Sequence, residues 1–74
     1  MREKGRNSME YIRQTYRVPA RRGMRVRWER WTGFFLTGTI VGALGESLRV
    51  RIDNTTWPDL VHPLDHLEYL EDKP

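Results

Sequence analysis

Met24-Arg25-Val26-Arg27-Trp28 sets apolar residues at the even positions and arginines at the odd ones. A period of two is that of a half-buried strand, because successive side chains point to opposite faces. The same rhythm returns in Leu48-Arg49-Val50-Arg51-Ile52. Between them, Thr39-Ile40-Val41-Gly42-Ala43-Leu44 reads as another strand, with Gly42 marking a bulge or bend. Gly33 and Gly38 bracket an expected loop that holds Phe34, Phe35 and Leu36, and Gly45-Glu46-Ser47 is a tight connection.

C-terminal to this block, Asp53-Asn54-Thr55-Thr56 has turn composition. Trp57 to Val61 is expected as a short strand whose Pro58 suits an edge or a strand start. His62-Pro63-Leu64-Asp65 predicts one tight turn of 3₁₀ character, and His66 to Leu70 a fifth strand. On the N-terminal side, Met9, Ile12 and Tyr16 fall at i, i+3 and i+7, one face of a short helix over residues 9–17. Ser8 suits its cap, and Pro19 ends it. Two turns are marginal alone, so this helix must dock, either on its own sheet or on a partner. Residues 1–8 lack apolar periodicity and are expected as a flexible arm.

These elements predict one mainly β domain over residues 9–72. Five short strands with hairpin turns and a helical turn before the last resemble the plan of a small SH3-like barrel with a helical lead. Such closure suits a 74-residue chain, which buries only about 60% of its unfolded surface. Val26, Ile40, Leu48, Val50, Ile52, Val61, Leu67 and Leu70 form the expected core.

Two resemblances extend this plan. Gly23-x-x-Val26-x-Trp28, Gly33, Gly38-Thr39-Ile40-Val41-Gly42 and Leu48 to Ile52 resemble the KOW variety of SH3-like barrel. Such modules recur in ribosomal proteins and transcription elongation factors, which implies loops that touch RNA or another protein. The first loop departs from that pattern, with Phe34-Phe35-Leu36 where such modules carry lysines and glycines. Tyr11-Ile12-Arg13-x-Thr15-Tyr16-x-Val18-Pro19-Ala20-x-Arg22-Gly23 and His62-Pro63-Leu64-x-x-Leu67-Glu68-Tyr69-Leu70 are similar to a group of short phage or prophage proteins. That similarity implies a barrel fold and a phage or prophage setting, and no activity.

Composition argues against several classes. There is no cysteine, which excludes disulfides and thiolate metal sites and fits a cytoplasmic setting. No apolar run approaches the roughly 20 residues that span a bilayer. His62 and His66 are four apart, but Pro63 between them breaks the helix that would set both on one metal. No nucleophile elbow, phosphate-cradling glycine loop or small-molecule substrate signature occurs. The expectation is a non-catalytic binding module without metal or cofactor.

Charge is polarised. Residues 1–30 hold ten Lys/Arg against Glu3, Glu10 and Glu29, whereas residues 31–74 hold Arg49, Arg51 and Lys73 against seven acids. Arginine forks onto phosphate and carboxylate alike. Arg21, Arg22, Arg25, Arg27 and Arg30, with Arg49 and Arg51 on the third strand, are therefore candidates to bind nucleic acid or an acidic protein surface. Trp28 and Trp31 are interleaved with them, and an aromatic there can stack on an unpaired base; Trp28, by its phase, points inward. The competing expectation is that these arginines pair with Glu29, Glu46, Asp53 or Glu68. Trp31, Phe34, Phe35 and Trp57 are candidates for an aromatic patch at the loop mouth that binds protein or a second copy of the chain. Alternatively, those rings complete a thin core.

Overall fold

A computed structural model describes residues 8–70. The expected arm lies outside this range except for Ser8. The order is α1 (Ser8–Tyr16), β1 (Arg25–Trp31), β2 (Phe34–Leu44), β3 (Ser47–Ile52), β4 (Pro58–Val61) and β5 (Leu67–Leu70). All strand pairs are antiparallel, in one sheet of order β4-β3-β2-β1-β5. β4 and β5 are its two edges, and no strand pairing joins them among the described residues.

Turn chemistry explains the connections. Arg21 to Met24 is a β-turn closed by Met24 N–H on the Arg21 carbonyl at 3.1 Å, with Gly23 third at φ +90°. That is the left-handed conformation a type II turn needs at this place. Gly45 and Glu46 link paired Leu44 and Ser47, with Gly45 at φ +61° in the first central position of the hairpin.

The expected loop from Gly33 to Gly38 is instead strand. Only Thr32 and Gly33 turn, and Phe34 and Phe35 already pair with Trp31 and Glu29. Glycine at both ends and three apolar residues without alternation hid the strand, although aromatic residues favour it. Gly38 lies inside β2, paired with Val26 on one side and Ile52 on the other. A Cβ there would stand 2.6 Å from the Arg51 carbonyl oxygen, so close strand approach demands glycine. At the C-terminal end, Asp65 N–H bonds the His62 carbonyl at 3.0 Å in a single turn, and His66 adopts φ +54° before β5 begins at Leu67.

The sheet curls around its inner face. Arg30 on β1 and Asp59 on β4 come within 3.8 Å. Three strand spacings would hold their backbones about 14 Å apart on a flat sheet, so the two side chains lean toward each other across the inner face. Inside lie Val26, Trp28, Ile40, Leu48, Val50, Ile52 and Val61, joined by Ile12, Ala20 and Met24. Leu67 and Leu70 are only half-buried, which corrects the expected core. Both sit on an edge strand, and Leu70 pairs with Arg25 on the outer phase. The helix docks on the body of the domain through fully buried Ile12, while Tyr11 and Tyr16 both donate to the Glu46 carboxylate on the β2–β3 turn, at 3.4 and 2.9 Å. Tyr16 also meets His62 edge-on at 4.9 Å.

A candidate nucleic-acid interface

Register assigns the outer face its occupants. One cross-strand row reads Leu70, Arg25, Thr39, Arg51 and Pro58. The next, toward the Thr32–Gly33 hairpin end, reads Glu68, Arg27 and Thr37, with Asp53 N–H bonding the Thr37 carbonyl at 2.9 Å. Beyond it Glu29 faces Phe35. In the opposite direction Arg49 lies between Gly42 and Leu60, because a bulge at Val41 shifts the register by one. The Arg21–Met24 turn continues that end, since Gly23 N–H bonds the Ile40 carbonyl at 2.7 Å. The face is thus graded along its strands. Glu29, Asp53 and Glu68 occupy the hairpin-side rows, and Arg21, Arg22, Arg49 and Arg51 the other end.

The candidate arginines divide into two groups. Arg25 grips Asp53 with both Nη atoms, at 2.8 and 2.7 Å, and its Nη1 also donates to Thr39 Oγ1 at 2.9 Å. Thr37 Oγ1 donates to the same carboxylate at 2.7 Å. This bidentate contact, then the Thr37 hydroxyl, with the Arg51 charge adding a little, holds the Asp53 carboxyl well below the usual carboxylate range. The same pairing raises the pKa of Arg25. Arg27 binds Glu68 at 2.5 Å and lies over the Phe35 ring, 5.2 Å from its centroid. Arg30 approaches Asp59 and covers buried Trp28 at 5.1 Å and Trp31 at 5.9 Å. For Arg25 and Arg27 the competing expectation of internal pairing describes the structure, whereas Arg30 meets Asp59, an acid outside that expectation.

Arg21, Arg22, Arg49 and Arg51 are exposed, and their side chains make no hydrogen bond or ion pair among the described residues. The Arg49 stem lies over buried Gly42, where an added Cβ would meet Arg49 Cδ in ordinary contact at 3.8 Å. Thr37 and Thr39, which line up the Arg25–Asp53 pair, were not candidates in the sequence. A threonine beside Gly38 carries no signal of its neighbours across a ladder.

The aromatic candidates separate as well. Trp31 and Phe34 stack with centroids 4.5 Å apart and planes within 9°, both exposed at the hairpin end. Phe35 faces outward beneath Arg27. Trp57 makes no ring contact with any of them. No cluster of three or more His, Cys, Asp or Glu suited to a metal occurs among the described residues, and none of their helices is long and apolar enough to cross a membrane. No protein-family model, curated protein or solved structure matches the chain.

Proposed function

We propose that this domain is a non-catalytic, SH3-like accessory module that contacts nucleic acid through the free end of its outer sheet face. Arg21, Arg22, Arg49 and Arg51 neutralise phosphates there, and Arg25 serves as a fixed member of the rim. One observation carries this reading: Arg21, Arg22, Arg49 and Arg51 form no side-chain ion pair and lie toward one end of the face, while Glu29, Asp53 and Glu68 lie in the hairpin-side rows. Two-residue spacing sets Arg49 and Arg51 about 7 Å apart along the strand, facing the same way. The strand order, the turn before β5 and the Arg30–Asp59 contact across the curl support the barrel kinship.

Titration of tryptophan fluorescence with oligonucleotides tests the proposal. Four phosphate contacts predict that log K falls against log salt with a slope of about −3 for single strands. Absence of any response at low salt refutes it. A second reading, a protein-interaction or assembly module, draws on the exposed Trp31–Phe34 stack. Its signature is concentration-dependent sedimentation that Trp31→Ala abolishes.

A further inference from the structure

Trp57 stands apart from the other aromatic side chains. It is 79% exposed, against 9% for Trp28 and 59% for Trp31. Its ring has no aromatic, cationic or hydrogen-bonding partner among the described residues. An indole left in water forgoes the burial that makes tryptophan a strong contributor to cores.

The loop beneath the ring is well tied. Thr55 N–H and Oγ1 both donate to the Ile52 carbonyl, at 3.1 and 2.6 Å, and Thr55 Oγ1 reaches the Trp57 carbonyl at 3.5 Å. Pro58 follows, with its φ fixed by the ring. The backbone beneath the ring is therefore held before any ligand arrives, which lowers the entropy lost on binding. Pro58 faces Arg51 across the β3–β4 ladder, so Trp57, one residue earlier in the chain, lies next to that row on its Asp53 side.

We infer that Trp57 is a stacking platform for an unpaired base, with Arg51 taking the neighbouring phosphate, and that the ligand class is single-stranded nucleic acid. This inference rests on the arginine-face reading above and deepens it. A duplex keeps its base faces stacked inside and is read by a helix or ribbon entering a groove. A base face, by contrast, is what an exposed indole beside a guanidinium accommodates.

The full chain is titrated at low salt with an oligothymidylate, an abasic strand of equal length and a duplex. Wild type is expected to favour the thymidylate over the abasic strand by about 5- to 160-fold, the range that one stacked base supplies. Trp57→Ala should erase that preference while leaving the salt slope unchanged, and Trp57→Phe should retain part of it. If Trp57→Ala keeps the full preference, or Trp31→Ala removes it instead, the platform is misassigned. Equal wild-type binding to all three probes overturns the single-strand inference and leaves the arginine face standing. No binding to any probe brings down both.

Discussion

β1 and β3 carry the same alternation of arginine with apolar residues, yet their guanidiniums are in different situations. On β1, Arg25 and Arg27 face Asp53 and Glu68, and Arg30 at the strand's end reaches Asp59. On β3, Arg49 and Arg51 lie beside Gly42, Thr39, Leu60 and Pro58, none of which is an acid. Local sequence puts a guanidinium on a face, and the strands alongside decide whether it is satisfied there. An arginine count along the chain therefore overstates the surface available to a phosphate. Exposed ion pairs contribute little to stability, so those on β1 act mainly to fix positions and to withdraw charge from solvent.

Four experiments bear on this contrast. The largest effect is expected from Gly38→Ala, because Gly38 sits between β1 and β3 and sets the register that brings Arg25 to Asp53. Overpacking against the Arg51 carbonyl and Val50 should destabilise the fold by about 1–3 kcal/mol, read as a lower midpoint in urea. An unchanged midpoint would mean that the strands do not approach so closely.

Next, Arg49→Gln with Arg51→Gln should weaken single-strand binding about 25-fold at 0.1 M salt, and flatten the salt slope by about 1.4. The matching change on β1, Arg25→Gln with Arg27→Gln, should alter binding far less and lower Tm by no more than about 5 °C. Equal losses from the two pairs would erase the distinction between the strands.

A smaller gain is expected when a β1 guanidinium is set free. Asp53→Asn releases Arg25 and should strengthen binding about fivefold at 0.1 M salt, one phosphate contact's worth. Acid acts on the same carboxyl. Its folded pKa lies below the ordinary value of 3.8, so its contribution to stability is present above that pH and is lost as pH falls through the folded value. The variant's stability should accordingly fall less steeply below pH 4, as followed by circular dichroism.

The smallest effect belongs to the partner strand of β1. Tyr69 donates to the Pro63 carbonyl at 2.8 Å, and burial pushes its phenol up to about 12. Its contribution is complete below pH 10 and is lost as pH rises toward 12, a drop that Tyr69→Phe should soften in alkaline unfolding. If the variant unfolds along the wild-type alkaline curve, ionisation of Tyr69 is not what loosens β5.

Much of the fold was legible because alternation is a local property. Met24 to Trp28 and Leu48 to Ile52 named their inward residues, and six of the eight expected core residues are buried. Leu67 and Leu70 escaped because nothing local says that the last strand lies at an edge. Phe34 to Leu36 escaped because three successive apolar residues have no phase to read. The site was legible only as composition. That Arg25 would meet Asp53, 28 residues away, is a matter of register, and register follows from a two-residue hairpin and a bulge at Val41. Residue type groups Trp57 with Trp31 and Phe34, whereas in the fold it makes no ring contact with either and precedes Pro58, the β4 partner of Arg51.

Three of the four strand pairings join chain neighbours, and the fourth does not. β1 recruits β5 from the far end of the domain, with Arg27 and Glu68 separated by 41 positions. Closing a loop of that length costs about 2 kcal/mol more than closing a four-residue hairpin. The entropic burden of the topology thus falls on a four-residue edge strand with no fully buried residue. The meander from β1 to β4 assembles from local steps, and the last strand determines whether the flank of β1 ends as a ladder or as an open edge.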